Sequence, residues 1–315
     1  MNLTSKSKFF LFSLFISTMI SCSTDDEDPG EPTGETYETQ VLLTDAPVDN
    51  PNVEAVFITV AEVKVNGIAV EGFEKSTIKV SDLTDGSTKL LGNVDLEAGT
   101  TSSISLVLDH AADASGSGPG SYVVTTSGEK MVLATGTTEI NLSDQAEILP
   151  TEDNSLVIDF DLRKTIKAND EGDASFVGEG TIENNVRVVN VLNTGAIEGT
   201  VSNLEAESKV VVLAYEEGTF EESEMEENSN GIRFSNAVSS DLVSSSNGSF
   251  SLNFLEEGAY ELHFVSMKDE DSDGDLELAG ELDVQTSTGA ELDGIEVTSE
   301  STTSLDLSLG GLLGL

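Results

Sequence analysis

The sequence predicts an all-β protein, built as two antiparallel β-sandwich domains that follow a lipoprotein signal peptide and an acidic tether. Three observations carry the β reading. Short runs rich in Val, Ile and Leu alternate with polar residues over part of their length, as in "VEAVFITVAEVKVNG" (53–67). Clusters of Gly, Asn, Asp and Ser separate such runs at 85–87, 115–121 and 169–173, the spacing of a sandwich or barrel. No amphipathic helix longer than about three turns stands out.

The chain has 315 residues, enough for two domains of ordinary size. It carries 59 Asp+Glu against 14 Lys+Arg, a net charge of −45. Removing residues 1–21 takes away Lys6 and Lys8 and no acid, which leaves −47. Such a field repels nucleic acid and anionic surfaces and favours cations, so a nucleic-acid partner is excluded. A single cysteine excludes any disulfide within the chain.

In chain order, residues 1–21 have the parts of an export signal. Lys6 and Lys8 precede the 12-residue apolar run "FFLFSLFISTMI" (9–20), which is too short to span a bilayer. Met19-Ile20-Ser21-Cys22 resembles the bacterial lipobox, with Met where Leu is usual. That resemblance implies a lipidated Cys22 as the first mature residue and the membrane as a partner through its acyl chains. Residues 22–36 form the acidic tether, with six acids and no large apolar side chain in 23–35. The stretch resembles the export signal of surface lipoproteins of the Bacteroidetes group. It implies the outer membrane of a Gram-negative cell, with the protein surface-exposed.

The first domain covers 37–193. Its strand candidates are 39–45, 53–67, 76–82, 101–109, 122–134, 155–162 and 184–192. The second covers 194–309, with candidates at 195–203, 208–217, 231–238, 248–267, 276–284 and 302–309. It is the more acidic part, at −24 against −17, and 216–228 is its densest acidic loop. Charge runs of this kind face water as a rule. Residues 310–315 are a short apolar tail that frays or covers an edge.

Two further resemblances rest on ordered segments. Thr44-Asp45-Ala46-Pro47, "ITVAEVKV" (58–65), "VSDLTDG" (80–86), "VDLEAGTTSSISLVLD" (94–109) and "LVIDFDLRKTI" (156–166) resemble the bacterial domain of unknown function 4382 family over 37–192. The family implies a secreted or lipid-anchored β-rich domain and no catalytic residues. Gly195, Gly199, Val201 and "SNGSFSLNFLEEGAYELHF" (246–264) are similar to the prealbumin-like, carboxypeptidase-regulatory sandwich, also grouped with starch-binding-like folds. That module implies presentation and contact, and it opens a glycan as an alternative partner.

Candidate chemistry is sparse. In "DEDSDGDLE" (269–277), Asp269, Asp271 and Asp273 alternate before Gly274, as in the opening of a calcium loop, with Asp275 and Glu277 as further oxygen donors. The twelfth position is Gly280 and no helix flanks the loop, so an EF-hand is excluded. A β-loop Ca2+ site and a metal-free Asp/Gly turn remain as its two readings. Asp159, Asp161 and Arg163 fall on alternate positions of a strand pattern and would share one face in a structural ion pair. Asp45 would cap a turn before Pro47. His110 and His263 lack the serine or cysteine setting of a triad and read as structural. With no Trp, glycan stacking would fall to Tyr122, Tyr215 and Tyr260. The expectation is a non-enzymatic, lipid-anchored surface protein acting in binding, adhesion or envelope structure. Its protein or glycan partner is unspecified; the alternative is a glycan-binding accessory lipoprotein of a polysaccharide-use system.

Overall fold

Residues 34–46, 53–99, 103–142, 146–151, 153–168, 174–204, 209–269, 277–286 and 292–312 are described by the computed structural model of the protein. Cys22, the segment 1–21, most of the tether, and Asp271, Asp273 and Asp275 lie outside them. Residues 34–315 belong to one compact unit, within which two β lobes can be told apart.

Lobe 1 runs through β1 (Thr36–Thr44), β2 (Val53–Val65), β3 (Ile68–Ala69), β4 (Ser76–Lys79), β5 (Lys89–Glu97), β6 (Ile104–Asp109) and β7 (Tyr122–Thr125). It continues through β8 (Lys130–Val132), β9 (Thr137–Leu142), β10 (Asn154–Asp159), β11 (Ile166–Ala168), β12 (Ala174–Phe176) and β13 (Arg187–Asn190). The short helices α1 (Leu162–Thr165) and α2 (Glu179–Asn185) flank β11 and β12. A four-stranded sheet in the order β13-β10-β1-β5 faces a seven-stranded sheet in the order β8-β7-β2-β6-β9, with β3 and β4 also on β2. Alternate residues of both point inward: Val41 and Leu43 from β1, Leu156 and Ile158 from β10, Ile58 and Val60 from β2, and Leu106 and Leu108 from β6. That is the period-2 pattern of half-buried strands. The sheets are antiparallel except between β1 and β10, which run parallel with Thr44 beside Asp159.

The 3₁₀ turn Val191–Asn193 leads without a linker into lobe 2. Its strands are β14 (Thr194–Ser202), β15 (Lys209–Glu216), β16 (Ser239–Leu242), β17 (Ser249–Glu256), β18 (Gly258–Lys268), β19 (Glu277–Thr286), β20 (Ile295–Val297) and β21 (Thr302–Leu312). They form one sheet in the order β16-β15-β18-β19-β21-β14-β17, with β20 added to β18. The sheet curls until β17 returns beside β16, where Ser251 N donates to Asp241 Oδ2 at 2.7 Å. Gly248 makes the β16–β17 turn with φ +74°, and a Cβ there would lie 2.1 Å from Val201 O. β21 lies inside the sheet, parallel to β14 and antiparallel to β19. It runs to Leu312, so the first three residues assigned to a tail are strand.

Two readings are corrected here. Residues 231–238, expected as a strand, form a loop in which Phe234 takes φ +52°, a conformation no strand admits. The pattern 159–163 is not one strand: β10 stops at Asp159, Asp161 turns to φ +26°, and Arg163 stands on α1.

Candidate functional site

The parallel pairing of β1 and β10 brings their carboxyl ends together at one edge of lobe 1. Phe160 N donates to Thr44 O at 3.1 Å, so Asp45 and the 159–161 segment lie side by side. Asp45 Oδ1 accepts from Leu162 N at 2.9 Å and thereby caps α1; the turn expected before Pro47 lies outside the described residues. Thr44 Oγ1 donates to Leu83 O and to Ser87 O, at 3.0 and 2.8 Å, and ties the 83–87 turn to the same edge.

From this edge three buried or half-buried cations reach into lobe 2. Arg163 Nη1 donates to Arg233 O at 2.8 Å and Phe234 O at 3.2 Å, and its Nε donates to Ser240 Oγ at 3.2 Å. Lys164 Nζ donates to Ala237 O and lies 3.4 Å from Asp161 Oδ2. Arg187 Nη1 donates to Phe254 O at 2.8 Å, while its Nη2 pairs with Asp159 Oδ2 at 2.8 Å. Two of the acceptor carbonyls belong to Phe234 and Phe254, which both hold positive φ despite their bulk. Backbone in that region costs of order 1–3 kcal/mol per residue and persists where its surroundings over-determine it.

The acidic loop of lobe 2 completes the seam. Glu224 takes up Asn236 N and Asn236 Nδ2, both at 2.8 Å, and so shapes the 234–236 turn. Ile232 is buried within the core of lobe 1. Phe234 and Ala237 cover the outer face of β15 and β18, with Val211, Leu213, Tyr215, Val265 and Met267. The 216–228 run is thus a docking element as well as a charged one, and Glu224 is held rather than solvated.

Burial of this many charges governs their titration. Desolvation lowers the Lys164 ammonium from its ordinary value. Desolvation, joined by the negative charges of Asp161 and Asp159, raises the Asp45 carboxyl well above the usual range. Beside the network a cleft of about 350 Å³ opens between the lobes, lined by Lys164, Arg187, Glu216, Asn236, Glu256 and Tyr260 among others.

The remaining candidates fall elsewhere. Asp269 and Glu277 stand at the facing ends of β18 and β19. Among the described residues no three His, Cys, Asp or Glu side chains form a group able to hold a metal. His110 is buried, bonded through Nδ1 to Ser121 Oγ at 2.9 Å and through Nε2 to Thr138 Oγ1 at 3.2 Å, and burial lowers its pKa. His263 stacks on Phe220 with ring centres 3.8 Å apart and pairs with Glu281 at 2.7 Å. Tyr215 and Tyr260 are buried. Tyr122 stacks on Phe57 at 4.8 Å and has Lys130 Nζ 4.2 Å from its ring centre, so its faces are engaged within the protein. Among the described residues no helix is long and apolar enough to cross a membrane.

The family comparison falls on lobe 1. Residues 38–177 match the model of the domain of unknown function DUF4382. The DUF4382 match is shorter than the 37–192 expected from the resemblance, and it ends before α2 and before β13, which completes the first sheet. No curated protein matches the sequence. Solved structures that resemble it include several of pilus proteins. The major pilin subunit of Bacillus cereus is 12% identical, with 87% of this chain and 70% of that one covered and a TM-score of 0.19. The shaft pilin of Lactobacillus rhamnosus GG is 12% identical over 89% of this chain and 100% of its own, at 0.20. A C-terminal fragment of a pilus adhesin from the same organism scores 0.18 at 12% identity, covering 89% and 99%. Likenesses at this level carry no statement about what this chain does.

Proposed function

We propose that the chain is a non-enzymatic, lipid-anchored protein of the cell surface, whose two locked lobes act as a stiff contact element in adhesion or envelope structure. The seam is the observation that carries this reading. β13 passes into β14 through one 3₁₀ turn, and Arg163, Lys164 and Arg187 grip backbone carbonyls across it. A pair of lobes joined in this way transmits force and holds a surface in place, whereas a flexible linker would let the lobes reorient. Cys22 and the six acids of 23–35 supply the anchor and the spacer, on an outer membrane of the Bacteroidetes kind. Lobe 2 then serves as a presenting module of the carboxypeptidase-regulatory type.

Metabolic labelling with a palmitate analogue tests the anchor: label should appear on the full chain and vanish in Cys22→Ala. Digestion of intact cells with an added protease tests exposure, and a chain untouched until the outer membrane is opened would rule out the surface assignment.

A further inference from the structure

The edge that builds the seam also encloses a second, far smaller space. A cavity of about 20 Å³ lies where lobe 1 meets β16 and β17, lined by Asp45, Asp85, Asp159 and Asp241 with Thr44, Ser240 and Asn253 among the rest. That volume suits one water-sized species. We propose that it binds a single hard divalent cation of the calcium class, held by Asp45 and Asp159 of lobe 1 against Ser240 and Asn253 of lobe 2.

Four features support the assignment. Asp45 and Asp159 are each only 6% exposed, yet among the described residues Asp45 Oδ2 and Asp159 Oδ1 have no hydrogen-bond partner. Their other oxygens are taken, by Leu162 N and by Arg187 Nη2. A buried carboxylate oxygen left unpaired is costly, and both of these residues line the one cavity, where a shared positive partner would satisfy them. Second, four carboxylates border the space, and among the described residues only Asp159 of the four has a salt-bridge partner. Third, the donors are carboxylate, hydroxyl and amide oxygens, which suit calcium and disfavour zinc or copper. Fourth, both lobes contribute, Asp45, Asp85 and Asp159 from one side and Ser240, Asp241 and Asn253 from the other.

Asp241 supplies charge rather than a ligand, because Leu242 N and Ser251 N each occupy one of its oxygens at 2.7 Å. With two free carboxylate oxygens, the shell is completed by hydroxyl and amide oxygens of the lining. The site is therefore not a ready-made group of three acids. Asp85 holds φ +54° and Gly86 approaches Asn253 so closely that a Cβ would lie 3.0 Å from its Oδ1, which keeps this turn against lobe 2.

The test uses the full chain with Asp271→Asn and Asp273→Asn, so that the 269–277 loop cannot compete. After EDTA treatment it is titrated with calcium chloride by calorimetry and melted with and without the ion. One calcium per chain and a melting temperature raised by several degrees are expected; no binding overturns the proposal. Adding Asp45→Asn keeps an Oδ1 acceptor for Leu162 N, so the cap on α1 survives. That variant should melt no lower than its parent in EDTA and bind calcium about tenfold or more weaker. Undiminished binding would also overturn the assignment, and if the variant does not fold, the parent titration decides alone.

Discussion

Asp241 accepts two backbone hydrogen bonds, yet desolvation, aided by the charge of Asp85, pushes its carboxyl up to about 6. A folded-state value above the unfolded one of about 4 fixes the sign. The stabilising contribution is complete below the unfolded value and is lost as pH rises through about 6. A shift of this size corresponds to up to about 3 kcal/mol. Urea unfolding at acid and at neutral pH should show wild type losing stability relative to Asp241→Asn on the way up; parallel losses would refute this. Asp109 runs the other way, since the Lys75 ammonium 2.8 Å away lowers its carboxyl, and its contribution is lost as pH falls. Arg163 presents a different case. Its removal strands Arg233 O and Phe234 O and leaves the buried Asp161 with Lys164 alone, so Arg163→Ala should cost roughly 3–5 kcal/mol in urea unfolding. A loss under about 1 kcal/mol would mean the pair is water-supported.

At the scale of elements, the loop between β15 and β16 holds the lobes together. Ile232→Ala should cost roughly 2–5 kcal/mol, less if the loop can close over the gap. Hydrogen exchange should quicken at 231–238 while β2 and β6 keep their protection; equal change in all three would show global loosening instead. Much of this element was legible as chemistry but not as shape. "VVVLAY" (210–215) is apolar without alternation, the mark of a strand covered on both faces, and the structure covers it with this loop. "GIRFSNAV" read as a strand because Ile232 and Phe234 alternate with polar neighbours. What turns them into a docking loop is the left-handed Phe234 and the grip of Arg163, 71 residues away in sequence. The local pattern of 159–163 misled for a similar reason. Its helical turn depends on Asp45, 117 residues from the Leu162 amide it caps.

For the whole molecule, cores and seam together predict one cooperative transition. Thermal melts followed by far-UV and near-UV dichroism should coincide, and two separated steps would show lobes that fold independently. The net charge of −45 works against compaction. Raising sodium chloride from about 0.05 to about 0.5 M shortens the screening distance from over ~10 Å to under ~5 Å, and the melting temperature should rise. A fall would place attractive surface pairs above overall repulsion.

The position of β21 sets an order of events during biogenesis. It sits between β14 and β19, more than 100 residues downstream of the strand it parallels. Neither neighbour gains its full ladder until Thr302–Leu312 has left the ribosome. Lobe 2 therefore stays an open sheet with two waiting edges through most of its synthesis, and any chain halted before Thr302 would leave those edges to pair with something else.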